Sequence, residues 1–373
     1  MKIYRVGGAV RDELLGRPVQ DTDHVVVGAT VDEMLALGFQ PVGKDFPVFL
    51  HPVTREEYAL ARTERKSGRG YRGFDIHASP EVTLEEDLGR RDLTVNAMAR
   101  DEAGTLIDPF GGLRDLHERV LRHISPAFVE DPVRILRVAR FCARLGFRVA
   151  EDTLALMRHM VDIGEVDHLV PERVWQEISR GLMEEQPAVL FDVLSRCGAL
   201  ARIAPEWAPW IDPRGESGRD SIRGLARAAC QSAPLEVRFA LSAHRAGSTL
   251  DTLCERLRTP TDCQDLARLC ARFLGTVRAA PSLDAPALVD LLYRVDAFRR
   301  PARFHLLTWV AAIEDDADLP EYAPAATLTQ ALQAATTVDS ATLARGERGP
   351  EAGARIRAAR IEAVRQRTAE DAA

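Results

Sequence analysis

The sequence predicts an α+β fold, a small α/β head built on a mixed sheet and followed by an all-α remainder. Two observations carry this. Short apolar runs bounded by turn signals, at 3–6, 24–27, 46–51, 57–62, 94–100 and 104–107, read as strands. Beyond residue 130 the periodicity is helical almost throughout, with breaks at Gly146, Gly164, Pro171, Gly198, the segment 205–218, Pro260, Pro281 and Pro320. At 373 residues the chain has room for two to four compact units. No stretch approaches the roughly 18 apolar residues of a membrane span, and the N-terminus carries no signal-peptide pattern. Six scattered cysteines without Cys-x-x-Cys spacing read as reduced core residues of a cytoplasmic protein.

Residues 3 to 6 form the first strand, Gly7-Gly8 the turn, and Val10 to Leu15 a helix that stops at Gly16-Arg17-Pro18. A Gly-Gly turn at a helix N-terminus lets backbone N–H groups approach a phosphate, with the helix dipole favouring the anion. Asp21-Thr22-Asp23 leads into the strand Val25-Val26-Val27. On a strand, residues i and i+2 share a face, so both carboxylates are expected to project together. Paired carboxylates beside a phosphate cradle suit a hard cation, with magnesium bridging to substrate phosphates the usual occupant. Each half alone is more often an ordinary turn; the two within 25 residues point to nucleotidyl transfer.

Residues 63–71 (Thr-Glu-Arg-Lys-Ser-Gly-Arg-Gly-Tyr) are basic and glycine-spaced, a loop able to close on a polyanion. Arg90-Arg91-Asp92 precedes an apolar segment, and two arginines at a core edge need an anionic partner. Asp131-Pro132 reads as N-cap and first residue of a helix. On that helix Arg134, Arg137, Arg140 and Arg144 fall on one face, opposite Leu136, Val138 and Ala139. Such a face could grip phosphates while Asp131 accepts from a base amine. The bland alternative is a capped helix with a solvated face.

The net charge of −7 argues against a nucleic-acid partner only as a sum. Residues 114–148 carry eight arginines against four acids, and residues 353–367 carry five arginines against Glu362 alone. These two stretches leave room for a phosphate backbone.

Together, Gly7-Gly8-x-Val10-Arg11-Asp12, Asp21-x-Asp23, Arg90-Arg91-Asp92, Glu130-Asp131-x-x-Arg134 and Arg137-x-x-Arg140 resemble the class II tRNA nucleotidyltransferases. These are the bacterial CCA-adding enzymes, which share a superfamily with bacterial poly(A) polymerases. Pro171-Glu172-Arg173-Val174-Trp175 agrees with that pattern, and residues 1–185 are similar to the multifunctional bacterial form. The resemblance implies a catalytic head (1–122), a nucleotide-selecting neck (123–185), a helical body (186–300) and a tRNA-binding tail (301–373). It implies that Asp21 and Asp23 hold magnesium, that Gly8 and Arg11 contact the triphosphate, and that Arg91, Arg137 and Arg140 bind the nucleotide. Asp131 and Arg134 would pair with the base, and Glu64, Arg65 and Lys66 lie in the loop used to switch from C to A addition. The implied partners are tRNA, CTP and ATP, with no membrane and a monomer or weak homo-oligomer. A poly(A) polymerase or an A-only enzyme is the alternative. One departure stands out: where multifunctional relatives carry the His-Asp pair of an HD phosphohydrolase, this chain has His244-Arg245. An isolated histidine beside arginine cannot assemble a divalent-metal site, so phosphohydrolase activity is expected to be lost.

Overall fold

A computed structural model describes residues 1–42, 47–66, 74–343 and 350–371, and the chain divides into two compact units, 1–203 and 204–373. The first unit holds strands β1 (Lys2–Val6), β2 (Asp23–Val27), β3 (Gln40–Val42), β4 (Val48–Leu50), β5 (Glu57–Leu60), β6 (Arg62–Lys66), β7 (Phe74–Ala78), β8 (Ala99–Arg100) and β9 (Leu106–Ile107). Seven of them form one sheet in the order β3-β4-β5-β2-β1-β8-β9, and β6 pairs with β7 apart from it. The β2–β5 pair is parallel and the other pairs are antiparallel, so the sheet is mixed as expected.

Alternation along β2 divides the head core in two. Val25 packs with Val6, Leu88, Ala97 and Ala99 on one side, while Val26 packs with Ala29, Met34, Phe49 and Leu60 on the other. Helices α1 (Gly8–Leu14), α2 (Val31–Ala36), α3 (Leu84–Gly89) and α4 (Gly112–His117) accompany the sheet. Both α2 and α3 open with complete capping boxes, Thr30 with Glu33 and Thr83 with Glu86. The expected strand at 94–100 is a correction: residues Thr94–Asn96 form a 3-10 turn, and only Ala99–Arg100 is extended. The turn draws Thr94 to Asp115, whose carboxylate accepts from the Thr94 hydroxyl at 2.8 Å.

Helices α5 (Val133–Leu145), α6 (Glu151–Asp162), α7 (Pro171–Leu182), α8 (Pro187–Arg196) and α9 (Ala199–Ile203) follow in the same unit. Gly146, at φ 67°, closes α5 by donating its N–H to the Cys142 carbonyl at 2.9 Å.

The described residues of the second unit are helical, with major helices at Glu216–Cys230, Leu235–Ala243, Thr261–Arg278, Ala285–Arg294, Pro301–Glu314, Ala323–Thr336 and Pro350–Asp371. The segment 205–218, expected as a loop, contains a one-turn helix at Ala208–Ile211. Trp207 anchors it, fully buried with its Nε1–H donated to the Ser242 carbonyl at 2.7 Å. Part of the basic tail is engaged within the unit. Arg357 donates to Asp290 at 2.8 Å, and Arg360 stacks 3.9 Å over the Phe298 ring while donating to the Tyr293 hydroxyl. Five of the six cysteines are buried, and all are free thiols. Among the described residues no helix is long and apolar enough to cross a membrane.

Candidate active site

The β1–β2 register sets Val6 opposite Asp23, so the chain leaving β1 through Gly7-Gly8 lies beside that carboxylate. Gly7 adopts φ 72° and donates its N–H to the Met98 carbonyl at 3.1 Å. A Cβ there would lie 2.8 Å from Arg91 Nη1, so the missing side chain is what lets this guanidinium approach the turn. Strand β2 begins at Asp23, since β1 ends at Val6 and offers no partner to residues further upstream. Asp21 therefore sits in irregular chain, exposed, and strand alternation does not fix its direction as the sequence reading supposed.

Asp23, Gly7 and Gly8 line a cavity of about 620 Å³. Its other walls are Arg11, Arg62, Arg90, Arg91, Asp92, Asn96, Asp131, Arg134, Arg137, Arg140, Phe141, Arg144, Arg173 and Arg180. Ten arginines face three aspartates, an excess of positive charge suited to a polyphosphate. Gly8, Arg11, Asp23, Arg91, Asp131, Arg134, Arg137 and Arg140 are thus gathered at one cavity, and Asp21 is not among its lining residues. The arginine face of α5 looks into this cavity, not into open solvent.

A continuous polar chain fixes the arginines. Arg144 Nη2 donates to Asp12 Oδ2 at 2.8 Å, and Arg11 Nε donates to Asp12 Oδ1 at 2.8 Å. Arg11 Nη1 donates to Asn96 Oδ1 at 2.6 Å, Asn96 Nδ2 to Asp92 Oδ1 at 3.0 Å, and Arg137 Nε to Asp92 Oδ2 at 2.7 Å. Burial works to raise the Asp92 pKa, but Arg137, the Asn96 hydrogen bond and Arg134 outweigh it and bring the carboxyl down to about 2. Arg11 is only 2% exposed; burial lowers its pKa, and Asp12 opposes the shift. Arg90 and Arg91 share the fully buried Asp87, at 3.0 and 3.4 Å, the partner their place at a core edge demanded. The Phe141 ring lies among three cations, with Arg140, Arg11 and Arg137 at 4.5, 5.1 and 5.4 Å from its centroid.

Asp131 is extended, and its Oδ1 accepts the Val133 N–H at 3.1 Å. The helix proper starts at Val133, one residue later than the sequence suggested, and Pro132 occupies the cap position. Arg134 donates to the carbonyls of Ala127 and Arg90, at 3.0 and 2.7 Å. From α7, Arg173 donates to both oxygens of Asp131, and Glu177 accepts from Arg140 Nε at 2.5 Å. Sequence reasoning assigned no role to Asn96, Phe141, Glu177 or Arg180. One signal was available, since 173, 177 and 180 recur at i, i+4 and i+7 and mark a single helical face.

Glu64, Arg65 and Lys66, expected in a loop, belong to β6, where they face Ile76, Asp75 and Phe74 of β7. Their side chains and residues 67–73 lie outside the described residues.

In the second unit His244 is buried at 7% exposure, with Nε2 3.1 Å from Glu314 Oε1. Arg245 and Arg278 also engage Glu314, at 3.1 and 2.7 Å. Burial, with help from the two arginines and against Glu314, pushes the His244 pKa down to about 4. Among the described residues no group of three or more His, Cys, Asp or Glu side chains is placed to hold a metal ion.

Residues 3–122 match the poly A polymerase head domain, and residues 146–211 match the probable RNA and SrmB-binding site of polymerase A. The multifunctional CCA protein of Aromatoleum aromaticum is 54% identical, with all of both chains covered. That of Nitrosomonas europaea is 52% identical, over 92% of this chain and 91% of its own. Among solved structures, the Bacillus stearothermophilus CCA-adding enzyme in complex with CTP superposes with a TM-score of 0.74 at 24% identity. It covers 98% of this chain and 89% of that one. With more than half its residues identical to a relative matched from end to end, the chain belongs to the family of multifunctional CCA proteins, which are CCA-adding tRNA nucleotidyltransferases.

Proposed function

We propose that the chain adds C, C and A in turn to the 3′ end of tRNA, drawing on CTP and ATP and releasing pyrophosphate. The observation that carries this reading is the single cavity in which the Gly7-Gly8 turn, Asp23, the arginine face of α5 and Asp131 meet. The reaction is attack of the tRNA 3′-hydroxyl on the α-phosphorus, with pyrophosphate leaving in line. Arg11, Arg91, Arg137 and Arg140 neutralise the triphosphate and orient it. Asp12, Asn96, Asp92 and Glu177 hold Arg11, Arg137 and Arg140 ready before substrate enters, and Asp87 holds Arg91.

The donor set fits magnesium. Asp23, at the cavity wall, would hold the ion together with Asp21 two residues before it, both being hard carboxylate ligands. When bound, the ion would supply a lowered pKa for the attacking hydroxyl and charge compensation for the leaving pyrophosphate.

Base choice follows from edges. Cytosine and adenine each present an amine donor beside a ring-nitrogen acceptor, whereas uracil and guanine present the reverse. Asp131 accepts from the amine and Arg134 donates to the ring nitrogen, which needs no template strand. Backbone phosphates and 2′-hydroxyls along the helical side supply tRNA contacts.

The test is incubation of the protein with tRNA lacking its 3′ end, magnesium and one or all labelled nucleotides. Addition that stops after C-C-A supports the proposal. A long adenylate ladder, or A added only to a C-C end, would replace it with one of the two alternatives.

A further inference from the structure

Asp131, an extended residue just ahead of α5, and Arg173, on α7, meet in a bidentate pair at the cavity wall. Arg173 Nη1 donates to Oδ1 at 3.2 Å and Nη2 to Oδ2 at 2.9 Å. Oδ1 also accepts the Val133 N–H at 3.1 Å. A carboxylate offers about four acceptor positions, so three are filled by the protein and about one is left for a ligand. The guanidinium fork is planar and matches both oxygens at once, which fixes the rotation of the carboxylate as well as its place.

We propose that Arg173 is a positioning residue for base selection: by occupying both Asp131 oxygens it leaves a single acceptor facing the nucleotide. One acceptor suits cytosine and adenine, which each offer one exocyclic amine. Guanine is the base this arrangement excludes. Its N1–H and N2 amine lie side by side and form a two-point pair with any carboxylate whose two oxygens are open. Uracil offers only one N–H, flanked by carbonyl oxygens that a carboxylate repels. Removing Arg173 therefore opens the site to GTP in particular, not to all bases alike.

The position of Arg173 supports this assignment. It lies in the first turn of α7, which also presents Glu177 to Arg140, so one helix face orients both the base-reading and the phosphate-binding side of α5. Both residues of the pair are largely withdrawn from water, with side-chain exposures of 27% and 19%. The inference rests on the proposal that Asp131 reads the base.

The experiment uses the full chain with tRNA lacking its 3′ end, each nucleotide supplied singly, and the variants Arg173→Ala, Arg173→Gln, Arg173→Lys and Asp131→Ala. Arg173→Ala and Arg173→Gln are expected to raise GTP incorporation relative to CTP by about tenfold or more, the equivalent of one lost hydrogen-bond discrimination. The change appears as a lower KM for GTP, with UTP changing less. Arg173→Lys, a point donor that cannot span both oxygens, falls between. Adding Asp131→Ala to Arg173→Ala leaves the selectivity of Asp131→Ala alone, because the two act as one unit. Thermal melts confirm that the variants fold, and the glutamine and lysine forms decide the matter if the alanine form does not. An unchanged GTP-to-CTP ratio in folded Arg173 variants, or an equal loss for all four nucleotides, overturns the inference. If Asp131→Ala itself keeps wild-type selectivity, the base-reading proposal fails instead.

Discussion

Arg144 and Asp12, 132 positions apart in sequence, meet at 2.8 Å and tie the arginine helix α5 to the helix that follows the Gly7-Gly8 turn. Asp12 also pairs with Arg11, and both of those side chains are almost fully buried. Asp12→Ala is expected to cost about 3–5 kcal/mol, the usual penalty for leaving a buried charge without its partner. Urea unfolding measures this, and a loss below 1 kcal/mol would show that the pair is not structural.

Asp23→Asn keeps the size of the side chain but removes its charge at the cavity. Transfer from CTP and ATP is expected to be lost while tRNA binding stays near normal, and Asp21→Ala is expected to do the same. Single-turnover assays beside a filter-binding titration separate the two effects. Activity retained in both variants would remove the two acids from the mechanism.

Gly7→Ala meets two obstacles, a positive φ and an Arg91 nitrogen 2.8 Å from the new Cβ. The backbone term alone is about 1–3 kcal/mol. Displacement of Arg91 should raise the KM for CTP and ATP together. Gly8→Ala is sterically milder, because its Cβ would meet only Arg11 Nη2, at 3.6 Å. Equal stability and KM in the two variants would contradict this ranking.

His244 titrates at about 4 in the folded chain, below its ordinary 6.5. A depressed histidine favours folding at pH above 6.5. Below that the unfolded chain takes up the proton first, so the stabilisation is lost as pH falls from 6.5 to about 4. The full difference is on the order of 3 kcal/mol. His244→Gln should flatten the wild-type slope of stability over that window, and identical slopes would show that the histidine is not responsible.

At the same position, Arg245 follows His244 where a metal site would need aspartate, and Glu314 is engaged by His244, Arg245 and Arg278. Purified protein is therefore expected neither to open a 2′,3′-cyclic nucleotide to its monophosphate nor to release phosphate from that product with any divalent ion. Metal-dependent release would count against the expectation.

The site was legible where chemistry and spacing coincide. The arginines at 134, 137 and 140 stand on one helical face just after the extended Asp131, and that periodicity survives into the fold. Partnerships between distant segments were not legible. Nothing local says that Asp12 awaits Arg144, or that Asn96 bridges Arg11 to Asp92, because those contacts depend on how the elements pack. The strand expected at 94–100 failed for a related reason, since buried polar contacts of Thr94 and Asn96 override an apolar run. Helices α2 and α3 went unplaced although Thr30-x-x-Glu33 and Thr83-x-x-Glu86 announce them; both are only six residues long, too short for periodicity to show.

The pairing of Val6 with Asp23 gives apolar valines a say in chemistry. A slip of one residue between those neighbouring strands would turn Asp23 toward the opposite layer and present His24 in its stead. What prevents the slip is the division of Val25 and Val26 between separate apolar layers, each of which would be disrupted by it. Greasy, unreactive side chains thus act as the lock on an acid's address.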